Sequence, residues 1–225
     1  MIENKWQYYL NLLPEEIADR DREDEDITLP LGKGNLDYLE DCEKVIDLGC
    51  GTGVVLDYYL NKRKYAGYEK RKNIYGITIN QKEKDIAFQK YGDSVCERIM
   101  TGDVHDLYML KDKEFDGAIM WEILEHTLSP IIALWECNRV LKDNGKLVLM
   151  IPNKIYTDFP WHVYTSNYEQ TKSLLKKAGF VIEDFKDLTG DSGRYWCKKV
   201  CDITSVMDVI KKVKSYERRK MTNDK

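Results

Sequence analysis

The stretch Val45-Ile46-Asp47-Leu48-Gly49-Cys50-Gly51-Thr52-Gly53 sets the architecture to expect of the whole chain. Residues 45–48 form a short apolar run that reads as a buried strand, ending in glycines. Glycines at alternate positions let the backbone turn tightly and approach a ligand with no Cβ in the way. Residues 54–60 then read as the start of a helix, which offers free N–H groups and the positive end of its dipole. Asp47 lies two residues before the first glycine, a natural partner for a ligand's ammonium group. The spacing is G-x-G-x-G, with Val54 where the dinucleotide fingerprint would place its last glycine. In an open α/β sheet, ligands bind at the carboxyl ends of the strands, where this loop lies.

Working outward, strands and helices alternate from Lys44 onward. Strands are expected at 74–79, 95–100, 115–121 and 146–151, the last nearly all apolar and so buried on both faces. Asn80 with Glu83 resembles a capping box opening a helix that runs to about Tyr91. Ser129 and Pro130 suit the start of a helix whose face carries Ile131, Leu134, Cys137 and Leu141, and which Asn144-Gly145 would end. Ser166 with Glu169 suggests another capping box, and Gly179 closes that helix. Residues 180–188 and 194–200 alternate as two last strands joined by a turn at 190–193, which makes one sheet edge antiparallel. This predicts an α/β, Rossmann-like three-layer sandwich: a mostly parallel seven-stranded sheet with an antiparallel edge hairpin. The organisation expected is a helical leader over 1–43, the main domain over 44–202 and a basic helical tail over 203–225.

The chain has 225 residues, enough for one such domain. Its net charge of −4 argues against bulk electrostatic affinity for nucleic acid. Charge is uneven, with an acidic cluster at 19–26 and a basic stretch at 211–220. Both read as solvated surface; the sharper reading of the basic stretch is a helix that meets an acidic partner, RNA or a membrane surface. No apolar run approaches the roughly eighteen residues a membrane span needs. The start, Met1-Ile2-Glu3-Asn4-Lys5-Trp6, lacks the pattern of a signal peptide. Six scattered cysteines fit a reducing compartment, so a cytoplasmic location is expected. No metal site is expected: Cys197 and Cys201 are the only close pair, and nothing nearby completes a tetrahedral set.

With these residues in place, the chain resembles the class I S-adenosylmethionine (SAM)-dependent methyltransferases, in their small-molecule, type 11/25-like branch. The likeness runs from the glycine loop through Gly102-Asp103-Val104-His105-Asp106-Leu107, then Phe115-Asp116-Gly117-Ala118-Ile119-Met120-Trp121. It continues through Glu122 to His126, Asn138 to Leu147, His162 and Leu174 to Phe180, covering roughly residues 44 to 188. The resemblance implies that SAM is the methyl donor. Asp47, Gly49, Cys50, Gly51 and Gly53 would hold its amino-acid end. Asp103 and the Val104 backbone would contact adenine, and Trp121 would line the pocket. Cys50 is read as a small residue and not as a nucleophile.

One departure concerns the ribose. The family usually places an acid at the end of the second strand, whereas here that strand ends in Thr78 and Asn80. A competing strand over 64–69 ends in Glu69 but would leave 74–79 without a crossover helix, so Thr78 and Asn80 are preferred.

The sulfonium already activates the methyl group, so alignment supplies most of the catalysis and a base is needed only for a protonated acceptor. His126 and His162 are the base candidates, because histidine titrates in the useful range. His105 is read as surface. Trp121, Tyr156, Phe159, Trp161 and Tyr164 give the cleft an aromatic rim. The function expected is methyl transfer to a small molecule. Alternatives are an RNA or protein methyltransferase and a non-catalytic SAM-binding protein; no RNA-binding module or Pro-Pro-Tyr signature is present.

Overall fold

A computed structural model describes residues 38–62, 73–153, 162–188, 192–203, 209 and 211–217. The expected leader up to residue 37, the acidic cluster, Glu69, Tyr156, Phe159, Trp161 and the 189–191 turn lie outside the described residues.

Seven strands form one sheet among them: β1 (Val45–Leu48), β2 (Ile74–Thr78), β3 (Ile99–Thr101), β4 (Phe115–Trp121), β5 (Leu141–Pro152), β6 (Phe180–Leu188) and β7 (Ser192–Lys199). Their order is β3-β2-β1-β4-β5-β7-β6. The first five pair in parallel, whereas β7 runs antiparallel to both β5 and β6. The parallel part with its antiparallel edge is as the alternation of segments predicts.

The strand period of two sends side chains to opposite faces. Ile46 and Leu48 enter one core, with Ala133, Leu134 and Cys137 of α4 (Pro130–Val140) and Leu175 of α5 (Tyr168–Lys177). Val45 enters the other, with Leu56 of α1 (Val54–Asp57), Ala87 of α2 (Gln81–Tyr91) and Val95 of α3 (Asp93–Cys96). Both faces of the parallel strands are therefore dry, which explains their unbroken apolar runs.

Several local expectations are corrected. Residues 93–96 are helical, so the third strand is only 99–101. Helix α4 stops at Val140, and Leu141 already pairs with Phe115 as the first residue of β5. Asn144, at φ +63°, is a left-handed turn within that segment and not a helix end. The capping box of α5 is one residue later than expected: Asn167 accepts from Gln170 N, and the Gln170 side chain accepts from Asn167 N. The Asn80 side chain does cap α2, accepting from Lys82 N at 2.8 Å, and the Asn80 N–H points to the Thr78 hydroxyl at 3.4 Å.

Motif residues also hold the frame. Arg139 donates to the carbonyls of Leu107 and Leu110 and to Glu136 and Asp112, pinning the loop after β3 to α4. Buried Lys199 of β7 donates to the Asn138 and Leu141 carbonyls at 2.8 Å each, where the last carbonyls of a helix lack partners. Of the expected tail helix, residues 211–217 are helical, and Val209 and Val213 bury against Val181 while Lys211, Lys212 and Lys214 are exposed.

Candidate active site

The glycine bend lies at the carboxyl end of β1, between β2 and β4. The N–H groups of Gly49 and Cys50 both donate to the Ile77 carbonyl at 2.9 Å, which fixes the bend to the end of β2. Its three glycines do different work. A Cβ on Gly49 would stand 2.6 Å from Ile123, and one on Gly53 2.9 Å from Ile99, so these two permit close packing at positive φ. A Cβ on Gly51 would meet nothing nearer than Glu83 Oε1 at 3.9 Å. Gly51 is thus the point of the bend where a ligand can approach bare backbone. The Cys50 side chain turns inward onto Gly76.

Asp47 is 1% exposed, and neither carboxylate oxygen has a hydrogen-bond partner among the described residues. Burial pushes its pKa up to about 7. A buried acid with no protein partner is costly, and such a group marks a place where a ligand can complete the structure. A cationic ammonium is the complement that would restore its charge.

Thr78 is buried, and its hydroxyl donates to Glu83 Oε2 from the first turn of α2. The other oxygen of Glu83 faces the Cβ position of Gly51. A carboxylate therefore does stand at the end of β2, but it comes from the helix that follows. Asn80 is occupied as a helix cap. Sequence reading assigned Glu83 to capping and missed this placement. The available signal was its position five residues after Thr78, at the third position of a helix that starts beside the strand end.

Asp103 Oδ1 accepts from the His105 backbone N–H at 2.8 Å and lies 2.6 Å from His105 Nδ1. The Ser129 N–H donates to His105 Nε2 at 3.2 Å, which leaves the ring proton on Nδ1. His105 is buried, correcting its reading as surface. It orients Asp103 and links that turn to the start of α4. Asp103 Oδ2 has no partner among the described residues. Val104 is buried in the core beside this turn.

Trp121 ends β4, half-buried against the core that holds Cys50, with the Arg194 guanidinium 5.3 Å from its ring. The next residue, Glu122, has φ +47°, turning the chain into the helical turn Leu124–His126. Glu125 there is 1% exposed and its Oε1 lies 3.9 Å from His126 Nε2. The Tyr164 N–H donates to the Glu125 carbonyl at 3.0 Å, so the segment after β5 is fastened to the turn after β4. This brings His162 against His126, with ring centroids 5.1 Å apart. Burial, then the neighbouring His126, lowers the pKa of His162. The two predicted histidines are therefore adjacent. Because Ile123 packs into the space beside Gly49, they sit on the wall that adjoins the glycine bend.

Burial also raises the Cys50 thiol well above its ordinary value, with Asp47 and Glu83 adding to the effect. Iodoacetamide at mildly alkaline pH is expected to leave Cys50 unmodified in the folded protein and to label it after unfolding. Labelling of native Cys50 as fast as that of half-buried Cys201, read by peptide mass spectrometry, would contradict its role as packing.

Comparison with known proteins agrees with this arrangement. Residues 46–149 match the family described as the methyltransferase domain. The chain is 28% identical over 163 residues to the O-methyltransferase cnsE of Penicillium expansum, covering 65% of this chain and 55% of that protein. The fold resembles a SAM-dependent methyltransferase from Archaeoglobus fulgidus, with a TM-score of 0.60 at 21% identity over 85% of this chain and 99% of that one. It also resembles one from Aquifex aeolicus, with a TM-score of 0.55 at 22% identity over 70% and 82%. The stretch from residue 46 to 149 is thus similar to a methyltransferase domain, and the fold is that of the SAM-dependent methyltransferases it resembles. The chain spans about half the length of the curated relatives it matches.

Proposed function

We propose that the protein transfers a methyl group from SAM to a small-molecule acceptor in the cytoplasm. The observation that carries this reading is the buried Asp47 carboxylate, without a hydrogen-bond partner among the described residues, at the foot of a bend whose Gly51 is open. These residues fit the donor. Asp47 would compensate its ammonium group, Gly51 would admit its amino-acid end, and Glu83, braced by Thr78, would accept from the ribose hydroxyls. Asp103, Val104 and Trp121 would bound the adenine. When bound, SAM supplies a methyl group already activated by a positive sulfur.

The chain's own task is then to orient the acceptor and hold its proton. His126 and His162 face each other on the wall beside the bend, and His162 is held toward its neutral, proton-accepting form. The net charge of −4 and the O-methyltransferase relative support a small acceptor over RNA. Six free thiols suit a reducing compartment. No helix among the described residues is long and apolar enough to cross a membrane.

Calorimetry with S-adenosylhomocysteine tests the donor site. Wild type is expected to bind, and Glu83→Ala to bind about 10- to 100-fold more weakly, as loss of hydrogen bonds to a charged group implies. No binding by wild type would refute the reading. Undiminished binding by the variant would remove Glu83 from the ribose site.

A further inference from the structure

We propose that Glu125, His126 and His162 form a binding site for a divalent transition-metal ion, which holds a hydroxyl oxygen of the acceptor. The inference rests on the reading of the cleft as a methyl-transfer site and adds the chemistry of its acceptor side.

One ligand atom from each of the three side chains lies within 4.8 Å of the other two. Ligands that share one ion at about 2 Å stand about 3 to 3.5 Å apart. A small torsional change of the His126 ring, whose side chain is 23% exposed, would narrow that difference. Glu125 is the fixed member: it is 1% exposed and its backbone carbonyl is tied to Tyr164. The three come from two segments, one after β4 and one after β5, that the Tyr164–Glu125 hydrogen bond holds together. A preformed set with one buried carboxylate and two imidazoles matches the donor preferences of zinc, iron, cobalt and manganese. Three protein ligands leave coordination positions open for an acceptor oxygen.

A cation is the charge complement of a carboxylate that is 1% exposed, as Glu125 is. Ile123, which packs against Gly49 of the bend, accepts the His126 backbone N–H at 3.0 Å, so the cluster begins one turn from the donor bend. A cation lowers the pKa of a bound hydroxyl. Its proton leaves to solvent, the new C–O bond forms as the donor's C–S bond breaks, and that electron pair stays on sulfur. The acceptor class is therefore a hydroxyl compound. On this proposal the histidines serve as ligands in place of the general-base role, against the expectation of no metal.

The test uses the full chain, stripped with a chelator. Titration with Co²⁺ is expected to show one equivalent bound, with visible d–d absorption and calorimetric heat. His126→Ala and His162→Ala should each weaken that binding about 100-fold or more, since even outer-shell changes cost 10- to 100-fold. Both variants should keep S-adenosylhomocysteine affinity within about twofold of wild type, which shows that they are folded. S-Adenosylhomocysteine formation from SAM with a panel of hydroxyl and amine acceptors should require Co²⁺ or Mn²⁺ and favour the hydroxyl compounds. Absence of Co²⁺ binding, or binding unchanged in both variants, overturns the proposal and leaves the general-base reading. Metal-dependent turnover of amines alone overturns the acceptor class. Co²⁺ binding without S-adenosylhomocysteine binding would instead defeat the donor reading and leave the metal site standing.

Discussion

Asp47→Asn is expected to weaken S-adenosylhomocysteine binding about 100-fold, while making the unliganded protein more stable above neutral pH. The first effect is the loss of a desolvated charge pair between the carboxylate and the ligand ammonium, a change that costs several kcal/mol when one buried partner is removed. The second follows from proton linkage. In the folded protein Asp47 titrates at about 7, against an ordinary value of 3.8. Between those values the folded chain holds a proton that the unfolded chain has lost. The stability linked to Asp47 is therefore fully present below the lower value, falls as pH rises through the window, and levels off above the upper one. Asparagine removes that slope. Ligand affinity in the wild type runs the other way, rising as pH increases through 7 and the carboxylate ionises. Urea unfolding and calorimetry at acid and alkaline pH check both. Equal affinities for wild type and Asp47→Asn, or a wild-type affinity flat with pH, would place the ammonium elsewhere.

Gly49→Ala and Gly51→Ala should separate folding from binding. At Gly49 the new methyl group would press into Ile123 at 2.6 to 2.9 Å while the backbone is held at φ +90°. Overpacking and the left-handed conformation together are expected to cost about 3 kcal/mol. Adding Ile123→Ala should restore at least about 1 kcal/mol by removing the collision, a coupling that a double-mutant cycle isolates. At Gly51 the methyl group meets only ordinary contact, and φ +51° is a milder demand. That variant should lose no more than about 1 kcal/mol of stability yet bind S-adenosylhomocysteine at least tenfold more weakly. If Gly51→Ala bound normally, that face of the bend would not be the ligand's.

These contrasts bear on how much the sequence discloses. The apolar runs at 45–48, 74–78 and 115–121 and the glycines between strand and helix are read directly, because burial on both faces and positive φ leave compositional marks. Placement of the antiparallel hairpin is legible too, since 180–188 and 192–199 follow each other across a short turn. Glu83 is not legible in the same way. A glutamate at the third helical position satisfies the capping pattern, and only the fold shows its carboxylate turned to Thr78. His105 illustrates a second blind spot. A polar residue in a short turn reads as solvent-facing, yet here both ring nitrogens are engaged and the ring is buried. The proximity of His126 and His162, thirty-six positions apart in the chain, depends on the hydrogen bond from Tyr164 to Glu125, which leaves no trace in local pattern.

The order of the last three strands bears on synthesis by the ribosome. β7 lies between β5 and β6, although β6 is made before it. Until residues 192–199 emerge, β6 has no neighbour to pair with, the edge of β5 stays open, and the end of α4 lacks the lysine that satisfies its carbonyls. An elongating chain therefore exposes a raw strand edge for as long as it takes to translate the final hairpin, and closure comes from inserting a late strand between two earlier ones.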